Sequence, residues 1–278
     1  MSHSSANPSK AGSSQGFVSL VGAGPGDPEL MTVKGLRRVQ DAEVVAYDRL
    51  VNPKLLQECR ADAELIYVGK HGVQPSYSQE AISALLVQKA QLGRNVVRLK
   101  GGDPFIFGRG GEEALALRDA NIPFEVVPGI SSAVAAPAYA GIPVTHRRVA
   151  ASVAIVAGHE DPAKGESGHD WPALAGVDTL VILMGVGRLE AITGELVEAG
   201  RSSDTPAAMV RWGTTDEQET VEGTLKTIAA NVREAGLRAP ATLIVGEVVR
   251  LRSELRWFDL EEVVTHVEAA PGPLNVAL

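Results

Sequence analysis

The sequence predicts an α/β protein: two α/β domains with mostly parallel sheets. Three observations carry this. Short β-rich runs alternate with helix-length segments, the pattern of βαβ units. Three of the runs in the first half end in glycine-rich turns, and the carboxyl ends of parallel strands are where such sheets bind ligands. The charge balance also changes sign midway. Residues 1–149 hold sixteen Lys and Arg against fourteen Asp and Glu, and 150–278 hold ten against twenty, so +2 and −10 sum to −8. The boundary is placed at about 143–151. This gives a tail at 1–15, a first domain at 16–148, a second at 149–258 and a second tail at 259–278.

In the first half the candidate strands are FVSLVG (17–22), EVVAYD (43–48), ELIYVG (64–69), NVVRLK (95–100) and FEVVP (124–128). A first helix is expected from 28 to about 41, with Pro28 in an early turn where its missing N–H costs nothing. Ser76-x-x-Gln79 forms a capping-box pattern ahead of Ile82, Leu85 and Leu86, which share one helical face. Glu112 and Glu113 follow Gly110-Gly111 into the first turn of another helix, where the macrodipole favours acidic groups. In the second half the strands are VAIVAG (153–158), TLVILMG (179–185), PAAMVRWG (206–213) and ATLIVGEV (241–248). Leu189, Ile192 and Leu196 mark a helix stopped by Gly200. The stretch 158–171 reads as a polar loop.

Composition narrows the function. With 45% hydrophobic and 22% charged residues, the chain has material for a sizeable core. Only twelve of 278 residues are aromatic and the net charge is acidic, which argues against stacking on bases or binding a phosphate backbone, so no nucleic-acid partner is expected. The single cysteine, Cys59, excludes an intrachain disulfide framework and fits a reducing compartment. No stretch reaches the ~18 apolar residues of a membrane helix, so no membrane partner is expected. The first sixteen residues carry six serines and no hydrophobic signal region, and a cytoplasmic protein is expected. His71, His146, His159 and His169 show no metal-ligand spacing, and no metal is expected. Of the 26 basic residues 18 are arginine, the side chain whose planar fork suits carboxylates.

The glycine-rich turns are the most informative segments. VGAGPGDPEL (21–30), with Asp48 about twenty positions on, imitates a dinucleotide fingerprint, but Asp27 stands where the third glycine belongs. An acidic residue there occupies the place a pyrophosphate would want. RLKGGDPFIFGRGGEE (98–113) puts Gly101-Gly102 directly after a strand, where backbone can approach a ligand without a Cβ in the way. VPGISSA (127–133) repeats the scheme with small hydroxyl residues opening a helix. The three turns are expected to converge at one sheet edge.

These motifs, with YDRLV (47–51), VGK (68–70), VVPGISSAVAAPAYAGIPVTHR (126–147) and TPAAMVRWGT (205–214), closely resemble the uroporphyrinogen-III C-methyltransferases of the tetrapyrrole methylase class. The resemblance covers about residues 16–257. It implies a homodimer that binds S-adenosyl-L-methionine between two α/β domains, releases S-adenosyl-L-homocysteine, and methylates uroporphyrinogen III twice to give precorrin-2. Carried onto matching positions, the cofactor contacts are Pro25, Gly101, Gly102, Asp103, Ser131 and Ser132 from the first half. Met184, Gly213 and Ala241 supply those of the second. Candidates for catalytic groups are Asp48, Arg109 and Glu112, of which Asp48 alone resembles an ordinary base. The substrate carries eight carboxylates, and Lys70, Arg109 and Arg147 are the candidates to hold them.

Overall fold

The structure is a computed structural model that describes residues 16–69, 77–159 and 168–258. The tails 1–15 and 259–278, Lys70, His71, Ser76 and the centre of the 158–171 loop lie outside the described residues.

The first sheet contains β1 (Phe17–Gly22), β2 (Val44–Tyr47), β3 (Glu64–Tyr67), β4 (Asn95–Lys100) and β5 (Phe124–Val127), ordered β3-β2-β4-β1-β5 and parallel throughout. Strand alternation explains its two covered faces. Val18, Leu20, Val44, Ala46 and Val96 pack with Leu86 of α3 (Gln79–Gln91) and Leu117 of α4 (Gly110–Asp119). Val21, Val45, Val97 and Leu99 face the other way, onto Val39 of α1 (Val33–Asp41) and Leu55 of α2 (Pro53–Leu56).

The second sheet contains β6 (Val153–Ala157), β7 (Thr179–Leu183), β8 (Pro206–Arg211), β9 (Glu219–Thr224) and β10 (Ala241–Val245), ordered β6-β7-β10-β8-β9. Here the expectation of mostly parallel pairing fails. Only β6 and β7 run parallel; β7–β10, β10–β8 and β8–β9 are antiparallel. The cause is connection length. The 212–218 turn is too short for a crossover, so β8 and β9 must pair antiparallel, and β10 inserts between β7 and β8 against both. One face of this sheet packs on Ile192 and Leu196 of α7 (Leu189–Glu198) and on Ile228 of α8 (Ile228–Glu234).

Three further details differ from expectation. Pro28–Leu30 is a separate 3-10 turn, and α1 begins only at Val33 because the Thr32 side chain caps it at Gly35 N. The α3 cap is Ser78, which accepts from Ala81 N. The 158–171 stretch ends in structure: Asp170 caps the short α6 (Trp171–Ala175), whose Trp171 is buried.

Helix α5 (Ser132–Tyr139) follows the last strand of the first sheet, yet Ala136 and, just beyond its end, Ala140 pack on Ala208, Val210 and Ile244 of the second. It therefore follows the first sheet in the chain but packs in the core of the second.

Charge is buried beneath the first sheet's carboxyl edge. Glu113 Oε1 accepts from Arg98 Nε at 3.2 Å, Lys100 Nζ at 3.0 Å and Gln79 Nε2 at 3.1 Å. Burial, reinforced by the Arg98 charge, pushes the Lys100 ammonium pKa below its ordinary value. Removing Glu113 leaves the buried Lys100 ammonium without its carboxylate partner and Arg98 with only the 3.5 Å contact to Asp48. Glu113→Ala is expected to lower unfolding free energy by about 3–5 kcal/mol in urea melts; a loss under about 1 kcal/mol, the worth of a surface pair, contradicts this.

Candidate functional site

The carboxyl ends of β1, β4 and β5 meet almost backbone to backbone. A Cβ on Gly22 would lie 2.6 Å from Gly102 O and from Gly129 Cα, so no larger residue fits. Gly24 and Gly102 exchange backbone hydrogen bonds, Gly102 N to Gly24 O at 2.6 Å and Gly24 N to Gly102 O at 3.2 Å. Gly102 does so at φ +69°, a conformation that favours glycine. Asp103 fastens the join. Its Oδ2 accepts from Gly129 N at 3.0 Å, and its Oδ1 accepts from Phe105 N and Ile106 N, fixing the turn that follows.

Above this edge lies a cavity of about 460 Å³, closed on the far side by the second sheet. All nine positions expected to contact a cofactor line it: Pro25, Gly101, Gly102, Asp103, Ser131, Ser132, Met184, Gly213 and Ala241. Ser131 has a second task, since its hydroxyl caps α5 at Ala133 N. The far wall comes from the carboxyl end of β7, the turn after β8 and the start of β10. Antiparallel β10 brings its amino end beside the carboxyl ends of its neighbours. Sequence reading missed Leu50, Phe107, Val186, Trp212 and Thr242, which also line the cavity. For Trp212 a signal existed, because it immediately precedes Gly213 in a quoted motif. Phe107, Met184 and Trp212 all have positive φ, at 51°, 58° and 45°. Such strain costs of order 1–3 kcal/mol per residue and persists only where the surroundings enforce it.

Of the residues proposed for catalysis and substrate binding, Asp48, Arg109, Glu112 and Arg147 are not among the cavity's lining, and Lys70 lies outside the described residues. Asp48 follows β2; its Oδ1 accepts from Leu50 N at 3.0 Å and its Oδ2 faces Arg98 Nη2 at 3.5 Å. It precedes Arg49 and Leu50, which do line the cavity. Arg109 and Glu112 are paired on the surface, Nη2 to Oε2 at 2.6 Å and Nε to Oε1 at 2.9 Å. Their hydrogen bonds raise the pKa of the guanidinium and lower that of the carboxyl. Arg147 is exposed, on a loop closed by the His146–Ala150 bridge, and makes no hydrogen bond or ion pair among the described residues. Among the described residues no group of three His, Cys, Asp or Glu side chains is placed to hold a metal ion, and His169 contacts Ala157 O at 2.7 Å. No described helix is long and apolar enough to cross a membrane.

The cavity's lining combines exposed main chain with apolar side chains, which suits a small ligand with both polar and apolar parts. Exposed backbone at the glycines can read polar edges, and Met184, Trp212 and Val186 offer apolar wall.

The family model for tetrapyrrole (corrin/porphyrin) methylases matches residues 18–229. The chain is 49% identical over 247 residues to a uroporphyrinogen-III C-methyltransferase of Bacillus subtilis (strain 168), covering 88% of this chain and 96% of that protein. It is 53% identical over 244 residues to a siroheme synthase of Acinetobacter baylyi, covering 87% of this chain but 53% of that protein. Among solved structures, uroporphyrin-III C-methyl transferase from Thermus thermophilus complexed with S-adenyl homocysteine aligns with a TM-score of 0.73. The identity is 44%, over 85% of this chain and 100% of that chain.

The contact of the three glycine turns makes a direct prediction. In Gly129→Ala the new Cβ would stand 2.3 Å from Gly102 O, so the turns must separate, at a cost of about 1–3 kcal/mol. Gly187→Ala, at the cavity rim with nothing within 4 Å, is expected to leave the melting temperature unchanged. Equal shifts in calorimetry would contradict the packing described.

Proposed function

Since the chain belongs to the tetrapyrrole (corrin/porphyrin) methylases, we propose that it is an S-adenosylmethionine-dependent C-methyltransferase. It converts uroporphyrinogen III to precorrin-2 by two successive methyl transfers, in siroheme or cobalamin biosynthesis. The observation that carries this reading is the single cavity in which the nine positions from both halves meet. Residues 16–148 and 149–258 are its two halves, and the protein is taken to be a cytoplasmic homodimer. Exposed Phe105, Ile130 and Val134, beside the cavity-forming turns, support self-association.

When bound, S-adenosylmethionine supplies an electrophilic methyl group on a cationic sulfur. The chain's own work is to hold donor and acceptor in line and to keep water out. Gly101 and Gly102 let backbone groups approach, Asp103 is pre-oriented by three backbone N–H groups, and Met184 and Trp212 exclude solvent. A pyrrole carbon is already nucleophilic, but after it gains a methyl group a proton must leave the macrocycle. Asp48 is the group we assign to accept it, being an ordinary base next in sequence to two cavity-lining residues. Arg109 and Glu112 already neutralise one another, so their part is at the surface, where tetrapyrrole carboxylates can exchange with Glu112 for the guanidinium. Arg147, exposed and without such a partner, is the readier carboxylate ligand; Lys70 belongs to the same assignment.

The test is anaerobic incubation with uroporphyrinogen III and methyl-labelled S-adenosylmethionine, followed by mass spectrometry of the tetrapyrrole. Two added methyl groups are expected, and no transfer by folded protein overturns the assignment. Arg147→Ala is expected to raise KM for the tetrapyrrole roughly tenfold, the loss of one charge-assisted hydrogen bond, with unchanged affinity for S-adenosylhomocysteine. Equal loss of both would make Arg147 structural.

A further inference from the structure

Four residues outside the cavity's lining form a closed cycle of backbone and side-chain hydrogen bonds at the junction of the two halves. Asp27 N donates to Thr214 Oγ1 at 3.0 Å, and Thr214 N donates to Gln218 Oε1 at 2.9 Å. Gln218 Nε2 donates to Tyr139 O at 3.3 Å, and Tyr139 OH donates to Asp27 Oδ2 at 2.9 Å, which closes the ring. Asp27 belongs to the turn after β1 and Thr214 to the turn after β8; Tyr139 ends α5, the helix that leaves the first sheet and packs on the second.

Two independent observations indicate that the ring holds something against resistance. Thr214 sits at φ +74°, a conformation that a β-branched side chain strongly disfavours. Its neighbours on the cavity side, Trp212 and Gly213, depend on the same turn. The two turns also touch where no Cβ intervenes: one on Gly26 would lie 2.6 Å from Thr215 Cγ2. Tyr139 is packed between Trp257 and Phe258, at ring separations of 5.0 and 4.8 Å, so its hydroxyl is aimed by its ring's surroundings. Burial, then the bond to Asp27, push that hydroxyl's pKa up to about 12, which keeps it a donor throughout the neutral range.

We propose that Asp27, Tyr139, Thr214 and Gln218 are positioning residues: their ring fixes the turn bearing Gly24 and Pro25 against the turn bearing Trp212 and Gly213, and thereby sets the cofactor cavity's width. The inference rests on reading that cavity as the S-adenosylmethionine site. None of the four supplies chemistry to the reaction. They act by pre-organisation, so their loss should weaken cofactor binding without a matching loss of global stability.

The experiment compares wild type with Tyr139→Phe, Thr214→Val, Thr214→Ser and the Tyr139→Phe/Thr214→Val double variant. Calorimetric titration with S-adenosylhomocysteine is paired with amide hydrogen exchange of the ligand-free protein. Tyr139→Phe and Thr214→Val are each expected to weaken binding roughly three- to tenfold, the worth of one neutral hydrogen bond. Thr214→Ser should restore it. The double variant should lose less than the product of the single losses, because one break already opens the ring. Exchange should quicken in 22–28 and 212–218 together in either single variant, while β1 and β10 stay protected. Unchanged affinity, or quickening confined to the mutated turn, overturns the inference. If one single variant fails to fold, the other decides the matter through the same two readouts. Wild type that binds no S-adenosylhomocysteine overturns the functional reading instead, and the exchange pattern then still decides whether the ring couples the turns.

Discussion

The close approach of three backbones at the carboxyl edge of the first sheet is the constraint on which everything else depends. Gly22, Gly102 and Gly129 stand where any side chain would strike another main chain. That contact draws the turns after β1, β4 and β5 into one surface, and Asp103 ties two of them together. The entropy lost in ordering so much glycine is offset by the hydrogen bonds made across the join and by the parallel strands that aim the turns. The charged cluster of Arg98, Lys100 and Glu113 lies directly below, fixing the end of β4 to the start of α4, which bracket the Gly101–Asp103 turn.

The second sheet supplies the other wall by a different route. Its mixed pairing puts the amino end of β10 next to the carboxyl ends of β7 and β8, so one sheet edge collects turns of both polarities. Helix α5 makes the two walls one structure: its first turn carries Ser131 and Ser132 at the cavity, and its body packs beneath β8 and β10. Strain is concentrated where the walls face each other, at Phe107, Met184 and Trp212. A ligand placed there meets a surface whose conformation has been set in advance by packing elsewhere.

Much of this was legible in the sequence because it is local. The nine strands expected from apolar runs are all present, with ends shifted by at most a few residues. β9 was missed: ETVEGT is polar, partly exposed and at the sheet's edge, so it carries no apolar run to detect. The glycine density of 98–113 pointed to a ligand site because a plain connection seldom needs so costly a turn, and the resemblance then supplied individual contacts. What was hidden depends on distant partners. Nothing near Thr214 in sequence announces Asp27, 187 positions away, and nothing near Tyr139 announces that α5 serves the second sheet. Likewise, the pairing of Arg109 with Glu112 is plain from their spacing, but their absence from the cavity lining is a fact of tertiary geometry.

Turns from both sheets build one cavity, which we assign to S-adenosylmethionine. A crystal structure of the protein with S-adenosylhomocysteine tests this assignment most directly. Ligand density is expected between Gly101-Gly102-Asp103 and Ser131-Ser132 on one side and Met184, Gly213 and Ala241 on the other, one molecule per chain. Density at any other place, or a ligand touching the first sheet's turns alone, would contradict it.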